Sequence, residues 1–197
     1  MKHLLVLPIV ITSIMACSGS SKYSDETEIS KTQKYVTPST KKLDIKNLLN
    51  AHNKARKQVG VANLTWSNTL EENAKEWASY LKSNKKCGLL HRPSTGPHKQ
   101  KYGENLFYFG PQRWSNGKIK QQQLSGQFVV NKWVSEKNNY DLASNTCKAG
   151  SVCGHYTQVV WEKSTQLGCA AVACNNKAQV VVCNYDPPGN FSGQRPF

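Results

Sequence analysis

Six of the seven cysteines in this chain, Cys87, Cys147, Cys153, Cys169, Cys174 and Cys183, lie after residue 86. An even set of this kind in an exported chain is a disulfide framework, and the arithmetic gives three cross-links in one fold. Thiolate metal ligation is disfavoured, because the spacings contain no Cys-x2-Cys pair. A bridge closing some 15 residues is worth about 3 kcal/mol, a large share of a total stability of about 5–15 kcal/mol.

The seventh cysteine, Cys17, argues for export from the other end of the chain. Lys2 and His3 precede an apolar run over residues 4–16, the layout of a secretory signal and too short for a membrane helix. The run closes on Ile14-Met15-Ala16-Cys17-Ser18, which resembles the lipobox of bacterial lipoproteins and makes Cys17 the lipidation candidate. The competing route is an ordinary signal peptide discarded together with Cys17. The expected organisation is a signal peptide over 1–17, a disordered tether rich in Ser, Thr, Lys and Glu over 18–42, and one domain over 43–197. Nothing after residue 20 is apolar enough to span a bilayer.

Lysine and arginine number 26 against 12 acidic residues, a net charge of +14. Such a surface attracts anionic lipid heads and acidic glycans. The charge is scattered and accompanies no zinc spacing or RNA-binding signature, so no specific nucleic-acid partner is expected.

Ile45, Leu48, Leu49, His52, Ala55, Arg56 and Val59 recur at helical spacing, which predicts a first helix over 44–59 with Gly60 as its stop. Ser67 is a good N-cap for a second helix ending near Asn84, and a third begins near Ser125. From residue 155 the period shortens towards two. Strands are expected over 155–163, 168–174 and 179–185, the last two joined by a turn at Asn175-Asn176, with loops over 92–102 and 108–124. Helices first and strands last is an α+β pattern.

The segment Gly154-His155-Tyr156-Thr157-Gln158-Val159-Val160-Trp161 resembles the main signature of the CAP superfamily, which takes in cysteine-rich secretory proteins, venom antigens and plant pathogenesis-related proteins. A second signature matches Cys183-Asn184-Tyr185-Asp186-Pro187-Pro188-Gly189-Asn190-Phe191. Further matches are Ala51-His52-Asn53-Lys54-Ala55-Arg56, Tyr102-Gly103-Glu104-Asn105-Leu106 and Trp133-Val134-Ser135-Glu136-Lys137, all in family order and closest to the plant type.

The resemblance implies an α/β/α sandwich around a central antiparallel sheet, with bridges Cys87 to Cys174, Cys147 to Cys153 and Cys169 to Cys183. It also implies a cleft carrying His91, Glu104, Glu136 and His155. Two imidazoles and two carboxylates suit Zn²⁺ or another divalent cation, the histidines ligating and the glutamates orienting them or a bound water. The plainer alternative has Glu104 capping a helix or pairing with a histidine and His155 hydrogen-bonded in the core. The stretch 92–101 looks longer than in the plant relatives, and His98 within it is a candidate to replace or cover a ligand.

Sterol-binding relatives use an aromatic loop, whose spacing is matched by Phe107, Phe109 and Trp114, with Arg113 and Lys118 able to hold a hydroxyl or phosphate. The alternative has Phe107 in the core. The last eleven residues resemble the defence-signalling peptide that plants release by cleavage after Asp186. As a Pro- and Gly-rich tail they are open to proteolysis, unless they pack on the domain.

The leading expectation is an extracellular, non-enzymatic binder of a sterol or other lipid in host interaction or defence, with a divalent cation as cofactor. It would be freely secreted or lipid-anchored to the outer face of a bacterial membrane. The alternatives are a metal-assisted hydrolase of peptide or cell-wall material and a signalling ligand read by a host receptor. No strong nucleophile motif accompanies the quartet, which weighs against the enzyme.

Overall fold

The computed structural model describes residues 44–197; Cys17, the leader and the 18–42 tether lie outside them. Helix α1 (Ile45–Gln58) starts where the Asp44 carboxylate accepts from Asn47 N–H, and α2 (Asn68–Asn84) starts at Ser67, whose hydroxyl accepts from Leu70 N–H. Both fall where the periodicity predicts. Helix α2 buries Leu70, Ala74, Trp77, Ala78 and Leu81 along one stripe.

The main sheet has β1 (Thr65–Trp66), β7 (Gln166–Ala173), β8 (Gln179–Asp186) and β2 (Gly103–Phe109) in that order, antiparallel except for the short β1–β7 pair. Two small hairpins flank it, β3 (Gln112–Arg113) with β4 (Ile119–Lys120), and β5 (Tyr140–Asp141) with β6 (Thr146–Cys147). Side-chain alternation along β8 builds two cores at once. Val180 and Val182 pack with α2, while Val181, Cys183 and Tyr185 pack with α1, α3 (Gly126–Ser135) and α4 (Gly154–Val159). This is the α/β/α sandwich, and it explains why the apolar run in β8 is continuous.

Three disulfides staple the domain: Cys87–Cys174 from just past α2 to the end of β7, Cys147–Cys153 from β6 to the start of α4, and Cys169–Cys183 across the β7–β8 ladder. Gly168 sets how closely helix and sheet approach, since a Cβ there would collide with the backbone of Leu70 and Glu71 at the start of α2.

Two sequence expectations change. Residues 155–163 are not a strand: α4 occupies the first part, with Thr157 N–H bonded to Cys153 C=O at 3.0 Å. Thr157, Val159 and Val160 are β-branched and buried, which imitates a strand, but burial on all sides here belongs to a short helix. The expected loop over 108–124 contains the end of β2 and the β3–β4 hairpin. The tail after Asp186 follows the alternative in which it is held on the domain: Pro196 is buried and hydrogen bonds tether the segment, while residues 190–195 stay exposed. Gly189 N–H donates to Gln158 Oε1, Thr157 Oγ1 to Asn190 Oδ1 at 2.7 Å, Glu162 N–H to Pro196 C=O, and Arg195 to the Leu142 and Ala143 carbonyls.

A buried cation and a buried hydrogen-bond chain stitch α1 to the rest. Fully buried Arg56 donates all its N–H groups to the carbonyls of Ala62, Val159, Trp161, Glu162 and Ser164. Burial lowers its pKa to about 10, so it stays charged at neutral pH. Nearby, Asn105 donates to the Tyr185 hydroxyl at 3.1 Å, that hydroxyl to His52 Nε2 at 2.9 Å, and His52 Nδ1 to Leu48 C=O at 2.9 Å. That direction of donation requires a neutral imidazole, and burial accordingly lowers the His52 pKa to about 4.

Candidate functional site

Glu104 enters the site from the start of strand β2, with a side chain that is wholly buried. Its Oε1 accepts from His91 Nδ1 at 2.8 Å and from Arg92 N–H at 3.1 Å. The Arg92 guanidinium lies behind it, Nε 3.8 Å from Glu104 Oε2, and neither of these two buried atoms has a hydrogen-bond partner among the described residues. Arg92 is held by the face of Trp77 at 4.9 Å, the Asn73 carbonyl at 2.7 Å and the Glu76 carboxylate. The fourth neighbour of this clamp is His98, which bonds Glu76 at 3.0 Å and packs at a tilt against Tyr80, ring centroids 4.5 Å apart. The 92–101 loop is therefore tied to α2, and His98 lies on the Glu76, Trp77 and Tyr80 side rather than in the lining of the clefts that hold His91 and His155.

Glu136 sits just past α3 in a 3₁₀ turn (Glu136–Asn139) and caps α4: its Oε2 accepts from the backbone N–H groups of His155 and Tyr156 at 3.0 and 3.3 Å. Its Oε1 accepts from His155 Nδ1 at 2.6 Å. The His155 ring lies 6.2 Å from Trp133 and nearly parallel to it, and Asn105 donates to the His155 carbonyl. The four residues thus form two His–Glu pairs, each ring using Nδ1 on its carboxylate and keeping Nε2 for another partner.

Both imidazoles line the same two adjoining clefts. One, of about 450 Å³, runs between β2 and α3 with Leu89, Leu106, Phe107 and Trp133 as apolar wall and His91, His155 and Glu136 as polar end. The other, of about 430 Å³, holds Glu104, Asn105 and Gln158. Among the described residues, no three His, Cys, Asp or Glu side chains converge closely enough to hold a metal ion.

The three aromatic candidates divide. Phe107 and Phe109 project from one face of β2 with ring centroids 6.3 Å apart, and both meet Phe128 of α3, at 6.1 and 5.4 Å. Trp114 stands apart on the β3–β4 hairpin, where Lys118 Nζ lies 5.9 Å from its ring centroid. Sequence reasoning did not single out Arg92, Asn105 or Phe128 for the site. Adjacency was the available signal, since Arg92 follows His91 and Asn105 follows Glu104.

A sandwich with its helices on both faces of the sheet, three bridges and a paired His–Glu cleft defines one class of protein. Residues 49–185 match the CAP family model, described as the cysteine-rich secretory protein family, and the chain belongs to that family. Within it the chain is similar to plant pathogenesis-related proteins of type 1. It is 49% identical over 149 residues to the basic form of pathogenesis-related protein 1 of Nicotiana tabacum, covering 76% of this chain and 73% of that one. With pathogenesis-related protein 1 of Arabidopsis thaliana it shares 47% over 149 residues, covering 76% and 80%. Venom allergen-like protein 4 of Schistosoma mansoni has a solved structure that superposes with a TM-score of 0.54 at 25% identity, over 77% of this chain and 92% of that one.

Proposed function

We propose that this chain is an extracellular CAP protein of host interaction or defence that binds a sterol or similar lipid in the cleft between β2 and α3. The observation that carries the reading is the shape of that cleft: about 450 Å³, apolar along Leu89, Leu106, Phe107 and Trp133, and polar at the His91, His155 and Glu136 end. A ligand with a rigid apolar body and a single hydroxyl matches that division, and the volume falls in the ordinary range for small-molecule sites. Extracellular residence is supported by the three disulfides, which persist in oxidising compartments. Cys17 is the acyl acceptor in an anchored form, and mass spectrometry of the mature N-terminus separates that form from a freely secreted one.

Saturable binding of radiolabelled cholesterol in a filter assay tests the cleft. Phe107→Ala is expected to abolish it while Trp114→Ala leaves it intact; unchanged binding in Phe107→Ala overturns the reading.

The two His–Glu pairs support a divalent cation as a second ligand. His91 and His155 would hold it through Nε2, with Glu104 and Glu136 orienting the rings and solvent completing the shell, and the cation would polarise a bound water or ligand oxygen. Calorimetric titration with zinc checks this: equal affinity in wild type and His155→Ala removes His155 from the site. Metal-assisted hydrolysis is the competing use of the same pairs, and requires substrate turnover that Glu104→Gln and His155→Ala abolish.

A further inference from the structure

Five of the six bridged cysteines are buried, and Cys147 alone is exposed. Its partner Cys153 is 6% exposed, yet both line an open surface cleft of about 290 Å³ together with Tyr140, Thr157, Phe191 and Gln194. A sulfur nucleophile therefore has a route to this bridge. Cys169 and Cys183 lie inside the core with Val181 and Tyr185, and Cys87 and Cys174 inside the other core with Leu81 and Val180.

The bridges also differ in what they hold. Cys87–Cys174 and Cys169–Cys183 join positions 87 and 14 apart in the sequence, whereas Cys147–Cys153 joins positions only 6 apart. Its loop is the smallest, so opening it returns the least entropy to the unfolded chain and leaves the sandwich stapled twice. The local consequence is larger. Residues 148–152 have one turn of their own, Ser151 N–H on the Lys148 carbonyl at 2.9 Å, and Lys148 N–H reaches the Asn139 carbonyl at 2.7 Å. Beyond that turn comes Val152, 58% exposed, and then Cys153, from which α4 starts. Val152 and Gly154 are part of the wall of the cleft of about 430 Å³ that holds His91, Glu104 and His155. The bridge thus anchors that stretch of wall from outside the cleft.

We infer that Cys147–Cys153 is an exchangeable disulfide, opened by a small dithiol while the other two bridges stay closed, and that its opening loosens the Val152–Gly154 wall of the His–Glu cleft. One thiolate of the dithiol attacks Cys147 Sγ, the accessible sulfur; the protein S–S bond breaks, and Cys153 leaves as a thiolate and takes up a proton. The second thiol of the reductant then gives up its proton and attacks its own sulfur in the mixed disulfide, releasing the Cys147 thiolate, which is protonated in turn. The protein gains two electrons and two protons, and the dithiol becomes a disulfide. Glu136 still caps the first N–H groups of α4 in the reduced form, so the helix persists while the loop before it is freed. The exchange depends on the cleft's geometry and not on which ligand the cleft takes.

Titration of the full chain with dithiothreitol in the absence of denaturant, followed by alkylation and peptide mapping, is the test. Cys147 and Cys153 are expected to be labelled at a dithiothreitol concentration roughly tenfold or more below that needed for the other four cysteines, with the far-ultraviolet circular dichroism retained. Hydrogen exchange of the selectively reduced protein should then rise roughly tenfold or more over residues 148–156 and stay unchanged in α2, β7 and β8. Cys147→Ser/Cys153→Ser reproduces that pattern without reductant; reduced wild type supplies the same reading where the variant fails to fold. Opening of all three bridges together, or of none until urea unfolds the chain, overturns the exchange. Selective opening with unchanged exchange over 148–156 overturns the link to the cleft wall. Neither readout uses sterol or zinc, so failure here and failure of the binding reading are told apart.

Discussion

Two arginines are buried in this domain, and their surroundings differ in kind. Arg56 is caged by backbone: its hydrogen-bond partners among the described residues are five carbonyls from the α1–β1 connection and the segment leading into β7. Arg92 is caged by side chains and one carbonyl, between the Glu76 carboxylate, the Trp77 ring and the buried Glu104. A guanidinium in a carbonyl cage holds chain segments together and leaves no N–H donor to spare. One facing carboxylates fixes the position of an acid, and here that acid orients His91. Arg56 belongs to the scaffold and Arg92 to the site.

The largest effect that would break this contrast is on Arg56. Arg56→Met removes the guanidinium donors from five carbonyls, of which Trp161 C=O keeps the Ser164 N–H, and is expected to cost about 4 kcal/mol or more, read as a lowered urea midpoint. Arg56→Lys restores little, because an ammonium cannot span the fork. The charge of Arg56 also reaches His52, whose pKa is held near 4 first by burial and, in smaller part, by that guanidinium. Because the folded value lies below the ordinary 6.5, the unfolded chain takes up the proton first as pH falls. This contribution to stability is complete above pH 6.5 and disappears between there and pH 4, a loss on the order of 3 kcal/mol. Urea midpoints at pH 7 and pH 4 should show it, with His52→Gln flattening the difference.

Arg92→Met is expected to cost less stability, about 2 kcal/mol, but to lower zinc affinity roughly 10- to 100-fold by freeing Glu104. Calorimetry on the folded variant separates the two roles, since an unchanged affinity would make Arg92 scaffold as well. Glu76→Gln is the smallest change, about 0.5 kcal/mol or less by thermal denaturation, because Glu76 is half exposed.

The contrast also marks what the sequence could reveal. Helix α2 was legible because Ser67 caps it, and α1 because its apolar residues recur at helical spacing, although its start at Asp44 emerged only as a cap in the structure. Strand β2 was not, since Glu104, Asn105 and Leu106 are buried in succession and leave no alternation to read. Helix α4 was mistaken for a strand through Thr157, Val159 and Val160. His91, Glu104, Glu136 and His155 were reached through family motifs. Which glutamate serves which histidine depends on contacts across 13 and 19 positions that no local pattern encodes. Arg92 went unnoticed because a buried cation looks like any surface arginine until the ring and acids around it are in place.

The missing side chain at Gly168 reaches further than its strand. With nothing between β7 and the first turn of α2, the helix lies directly on the sheet, and the same helix carries Asn73, Glu76 and Trp77 beneath Arg92. One methyl group at position 168 would raise that platform, and the carboxylate it steadies would shift with it. The height of the site is set a turn or so earlier on the same helix, by an atom that is absent.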